Sequence, residues 1–139
     1  MVGLVVATHG RLAEEILRTA ETIVGRLEQC EAVAVGAETS IDDARARLAD
    51  AVKRVDIGEG VLVLTDMFGG TPANLALTFL DDKVEVVTGV NLPMILKLAT
   101  ARAESLSLRA AAELVTAYGQ KNITLASELL RSRAQKPRP

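Results

Sequence analysis

Short apolar runs alternate with stretches of helical periodicity along the whole chain, and this alternation restricts the fold more than any single motif. The runs are Val2–Ala7, Ala32–Val35, Val61–Leu64 and Val84–Thr88. Each is short, mostly aliphatic or β-branched, and most are bounded by glycine or polar residues, which reads as a buried strand. Between the first two, Arg11–Val24 sets Leu12, Ile16, Ala20 and Ile23 near helical spacing, with Gly25 as a stop. Ser40 opens a second helix, with Asp43 three residues on as a loose capping box and Ile41, Ala44, Leu48 and Val52 as its stripe. Thr71 and Pro72 read as N-cap and first position of a third helix, running to about Leu80. Pro93 starts a short helix. Ser107 caps another, with Leu108, Ala111, Leu114, Val115 and Tyr118 on its apolar face and Gly119 as its stop. Ile123–Ala126 is a candidate fifth strand.

Strands alternating with helices imply βαβ units, parallel pairing and right-handed crossovers. Runs without polar alternation imply a sheet covered on both faces. For 139 residues, one domain's worth, the expected fold is α/β: a three-layer doubly wound sheet of four parallel strands in order 2-1-3-4. In that order the chain reverses direction between the first and third strands, so a site is expected beyond their carboxyl ends.

Composition removes several function classes. With one Cys and one His, disulfide scaffolds and His/Cys zinc sites are excluded within one chain. A carboxylate-only magnesium site stays open, but no metal or cofactor is assigned. Aromatic residues are Phe68, Phe79 and Tyr118 alone, which disfavours modules that stack nucleic-acid bases. The net charge of −2 is unevenly spread. Residues 131–139 carry Arg131, Arg133, Lys136 and Arg138 and no acid, so residues 1–130 hold 12 basic and 18 acidic residues. Such an acidic body makes nucleic acid an unlikely partner and suits a basic protein. Residues 131–139 read as a frayed, solvated tail after a domain at 1–130. The longest aliphatic stretches are four residues, such as Leu4–Ala7, too short to enter a membrane. No signal peptide is visible, and a cytoplasmic protein is expected.

The first strand leads into Thr8-His9-Gly10 and the third into Asp66-Met67-Phe68-Gly69-Gly70-Thr71-Pro72. Two adjacent strands thus deliver the only histidine and a carboxylate to one crevice. A carboxylate that accepts from Nδ1–H fixes the tautomer, leaves the Nε2 lone pair free and balances charge developing on the ring. The pair suits a histidine that accepts and donates a phosphoryl group, and equally a general base. Gly69 and Gly70 let backbone N–H groups approach an anion, Thr71 adds a hydroxyl, and the following helix start favours phosphate. Gly10 opens the first helix in the same crevice, so two helix N-termini are expected to face one anion. Cys30 reads as a small structural side chain.

Three segments carry a resemblance: Val5-Val6-Ala7-Thr8-His9-Gly10, Leu64-Thr65-Asp66-Met67-Phe68-Gly69-Gly70-Thr71-Pro72-Ala73-Asn74, and Gly89-Val90-Asn91-Leu92-Pro93-Met94. In their order and spacing the chain resembles a IIA domain of the mannose family of the bacterial sugar phosphotransferase system (PTS) along roughly residues 1–126. The resemblance implies that His9 is phosphorylated on Nε2 by the phosphocarrier HPr and passes the group to a IIB domain, here expected to be a separate protein. It implies that Asp66 orients His9 through Nδ1, and that Thr71 and the Gly69–Gly70 backbone bind the phosphoryl group. It also implies a homodimer that exchanges a final antiparallel strand, here Ile123–Ala126. Two other readings stand beside it: the phosphotransfer subunit of dihydroxyacetone kinase, and a regulatory binding module on the same fold. The intact Asp66–Asn74 segment favours the mannose type. A receiver-type aspartyl phosphoacceptor is disfavoured, because the first strand ends in Thr8-His9 rather than in an acidic pair.

Overall fold

Strands β1 (Gly3–His9), β2 (Cys30–Val35), β3 (Val61–Thr65) and β4 (Val84–Thr88) lie parallel in the computed structural model, which describes residues 1–134. Their order is β2-β1-β3-β4, the order expected from the sequence. Leu4 pairs with Cys30 on one side and Leu62 on the other, and Ala7 pairs with Thr65. β1 runs two residues past its last pairing with β3, Ala7 with Thr65, and ends at His9, within reach of Asp66, the first residue after β3.

Because side chains alternate along a strand, the sheet feeds two cores. Leu4, Val6, Leu62 and Leu64 pack on the layer of α1 (Leu12–Val24), α4 (Leu92–Ala101) and α5 (Leu108–Lys121). Val5, Ala7, Val61 and Val63 pack on α2 (Ile41–Val55) and α3 (Thr71–Leu77). Each fully buried Leu or Val contributes about 1.5–3 kcal/mol of transfer free energy. The caps at Ser40 and Ser107 form as expected, each accepting an N–H bond three residues on, from Asp43 and Ala110. Gly25 ends α1.

Several boundaries differ from the sequence reading. Gly70, not Thr71, is the N-cap of α3, and no side-chain bond caps that helix. Helix α3 ends at Leu77 rather than Leu80, because Thr78, Phe79 and Leu80 donate to carbonyls three residues back, tightening the last turn. Gly119 does not stop α5. It lies inside the helix, where an added Cβ would stand 2.7 Å from Met94 Sδ, so its lack of a side chain lets α5 approach α4.

The expected fifth strand is not observed. Ile123–Leu125 follows α5 without a strand partner, and α6 (Ala126–Ala134) begins where the strand was to end. A strand needs a neighbouring backbone to satisfy its amides, whereas a helix closes its bonds locally, as Leu129 N–H does on the Leu125 carbonyl. Helix α6 buries no residue, and Ile123, Leu125, Leu129 and Leu130 are all exposed. Positions 131–134 of the expected tail belong to α6, and 135–139 lie outside the described residues. Among the described residues, no helix is long and apolar enough to cross a membrane.

At the amino ends of the strands, Arg102 is only 5% exposed. It donates to the carbonyls of Val2, Glu28 and Gln29, fastening the end of α4 to the starts of β1 and β2. Burial lowers its pKa from the ordinary value. Burial likewise pushes the nearby Cys30 thiol up to about 12, which disfavours its reactive thiolate form.

Candidate active site

The parallel β1–β3 pairing brings His9 and Asp66 together across 57 positions of sequence. His9 Nδ1 lies 2.9 Å from Asp66 Oδ2, and the same oxygen accepts the His9 backbone N–H at 3.2 Å. One carboxylate oxygen therefore holds both the ring and its backbone. A carboxylate only accepts, so the ring hydrogen belongs on Nδ1 and the Nε2 lone pair points away from Asp66. The His9 side chain is 47% exposed and that of Asp66 15%. The pair thus presents the imidazole to solvent and keeps the carboxylate inside.

Gly70 lies against the other edge of the ring. A Cβ built on it would stand 2.7 Å from His9 Cε1 and 3.0 Å from Nε2, and its φ of +84° is one that side chains rarely adopt. Glycine at this position lets the loop after β3 rest directly beside Nε2. Among the described residues, no protein group accepts from the amide N–H groups of Gly69, Gly70 or Thr71, and none engages the Thr71 hydroxyl. These donors are left unbonded within the described protein beside the imidazole.

Gly10 does not join them. Its N–H donates to the Val35 carbonyl at 2.9 Å, which ties the loop after β1 to the end of β2. The Gly10 amide, expected to meet a phosphate, is thus engaged within the protein. Instead, Thr8 Oγ1, fully buried, accepts the Ala13 N–H at 2.7 Å and fixes the start of α1. This role was not read from the sequence, although a threonine five residues before a helical amide is a signal that could have found it. Two buried atoms beside the site, Thr65 Oγ1 and Asp66 Oδ1, have no partner within the described protein.

Around the imidazole the surface is open and partly apolar. Phe68 is 78% exposed, and Met67 and Leu12 are exposed as well. A hollow of about 700 Å³ opens elsewhere, at the amino ends of the strands, lined by Gly60, Arg102 and Leu108. His9 and Asp66 do not line that hollow. Among the described residues, no three His, Cys, Asp or Glu side chains gather into a group that would hold a metal ion.

The profile of the family described as the PTS system fructose IIA component matches residues 3–116. The chain belongs to this mannose/fructose family of PTS IIA components. The mannose-specific EIIAB component of Escherichia coli K12 is 34% identical over 128 residues, covering 88% of this chain but 38% of that protein. The chain thus spans well under half the length of that IIA relative. The fructose-specific EIIA component of Bacillus subtilis is 29% identical, covering 94% of this chain and 90% of that one. Among solved structures, the mannose/sorbose-specific IIA subunit from Enterococcus faecalis superposes with a TM-score of 0.80 at 34% identity, covering 88% of this chain and 92% of that one. The EIIA component from Streptococcus agalactiae gives 0.82 at 27% identity, covering 92% and 99%. IIA components of this family are parts of a phosphotransferase, and the four-stranded parallel core is theirs.

Proposed function

We propose that this chain is a histidine phosphocarrier that accepts a phosphoryl group from phosphorylated HPr on His9 Nε2 and passes it to a IIB domain. The observation that carries the reading is the 2.9 Å contact between His9 Nδ1 and the mostly buried Asp66. In the step, the donor's P–N bond breaks as the bond from Nε2 to phosphorus forms. The donor ring keeps the electron pair of the broken bond. The Nδ1 hydrogen stays on His9, where Asp66 balances the charge that the ring acquires. The amides of Gly69 and Gly70 and the Thr71 hydroxyl receive the phosphoryl oxygens. No cofactor takes part. The exposed Met67, Phe68 and Leu12 form the apolar rim on which a protein donor docks.

The test is incubation with phosphoenolpyruvate, enzyme I and HPr, followed by intact-mass measurement. The wild-type chain is expected to gain about 80 Da, the mass of one phosphoryl group, and His9→Ala to gain none. A His9→Ala protein that is still phosphorylated overturns the assignment.

The same reading includes a homodimer. Ile123, Leu125, Leu129 and Leu130 are apolar, consecutive in the fold and unburied within the single chain, which supports their burial against a second copy.

A further inference from the structure

Four loops crown the carboxyl ends of the strands: residues 10–11, 36–40, 66–70 and 89–91. Arg11 is the only Lys or Arg in them, while Asp66 and Glu38 are the acids. Arg47 reaches this end of the sheet from α2, but both its Nη atoms donate to the Ala34 carbonyl, at 3.0 and 3.3 Å. Arg11 is 74% exposed and weakly held. Its Nε is 3.4 Å from Glu14 and its Nη2 is 3.7 Å from Glu15, which has a closer partner in Arg18 at 3.1 Å.

A phosphoryl group on His9 brings nearly two negative charges next to Asp66. The loop amides and one hydroxyl offer donors but no full positive charge. Arg11 stands two residues beyond His9, so their Cα atoms are at most roughly 7 Å apart, and an extended arginine covers that distance. Its planar fork of N–H groups matches phosphoryl oxygens in pairs. The weak resting contacts to Glu14 and Glu15 let it change partners with little loss.

We propose that Arg11 is a phosphoryl-binding residue: its guanidinium leaves Glu14 and Glu15 and closes on the oxygens of the group being transferred to His9 Nε2. The proposal rests on the phosphocarrier reading above. Arg11 exchanges no proton. It offsets charge on the phosphoryl oxygens as the donor's P–N bond breaks and the new one forms.

The test is single-turnover transfer from phosphorylated HPr to the full chain, followed by rapid quench and intact mass, for wild type, Arg11→Lys and Arg11→Gln. Thermal unfolding is recorded in parallel. Arg11→Gln is expected to be slowed about tenfold, and Arg11→Lys, which keeps the charge but not the fork, to fall between Arg11→Gln and wild type. The Arg11→Gln deficit should persist at about 1 M salt, where screening reaches within roughly 3 Å of a charge. Equal rates for Arg11→Gln and wild type overturn the proposal. So does a deficit that vanishes at high salt, which reduces Arg11 to steering the encounter. A slow Arg11→Gln protein whose loss is fully explained by unfolding also overturns it. Failure of the wild-type chain to gain about 80 Da is a different result: it removes the phosphocarrier reading before any Arg11 variant is compared.

Discussion

Asp66 Oδ2 holds the ring and the backbone of His9 at once, so one substitution touches both contacts. In Asp66→Asn either the amide oxygen keeps this place, and only the charge that balances the ring is lost, or the NH₂ takes it, favouring the wrong tautomer and giving up the bond to the backbone N–H. Both contacts are local to the exposed end of β1, so the fold is expected to survive. Single-turnover transfer from phosphorylated HPr should slow by at least about a hundredfold, with an unchanged circular dichroism spectrum. Unchanged rates would reduce Asp66 to a loop residue. Thr71 is a contrasting case. Since Gly70 is the cap and no side-chain bond closes α3, Thr71→Ala should shift stability by no more than about 0.5 kcal/mol. Its cost is expected in transfer, roughly tenfold, because the loop amides remain. Thermal unfolding and rapid-quench rates on one sample distinguish the two effects. A large loss of stability with a normal rate in the folded fraction would return Thr71 to a structural role.

Among the elements, the loop into α3 is the most exacting. Gly69 and Gly70 share a φ of +84°, but only at Gly70 would a Cβ strike the His9 ring; at Gly69 it meets nothing within 4 Å. Both alanine variants should therefore lose about 1–2 kcal/mol from backbone strain. Only Gly70→Ala should also move the histidine ring resonances in an NMR spectrum and depress transfer. If Gly69→Ala moves them equally, the close approach at Gly70 has no special role. This contrast also explains what the sequence could convey. The strands were legible because Val61–Leu64 and Val84–Thr88 are short, rich in valine and leucine and bounded by polar residues or glycine, and their order followed from alternation with helices. His9 and Asp66 were legible because both end central strands. The fate of the Gly10 amide was not, since it depends on where Val35 lies once β1 and β2 pair. Nor was the role of Gly119, because a glycine that lets a neighbour in and a glycine that ends a helix look alike in sequence. The Arg102 anchor was equally hidden, its partners being carbonyls of residues far away in the chain.

For the whole molecule, assembly turns on Ile123–Leu130. In the single chain Ile123, Leu125, Leu129 and Leu130 are exposed, and α6 has no buried residue. Light scattering at micromolar concentration is expected to report about twice the 14.7 kDa chain mass, and removal of residues 122–139 to give a folded monomer. A full-length monomer would reject the assembly while leaving the role of His9 untouched.

The 57 positions between His9 and Asp66 also impose an order in time. On a ribosome adding roughly 5–20 residues per second, the histidine emerges several seconds before the carboxylate that orients it. The third strand must then insert beside the first before the two can meet. Until that moment a nascent chain carries an ordinary surface imidazole. The pairing of imidazole and carboxylate therefore arrives late and all at once, and a chain broken off anywhere before β3 lacks it altogether.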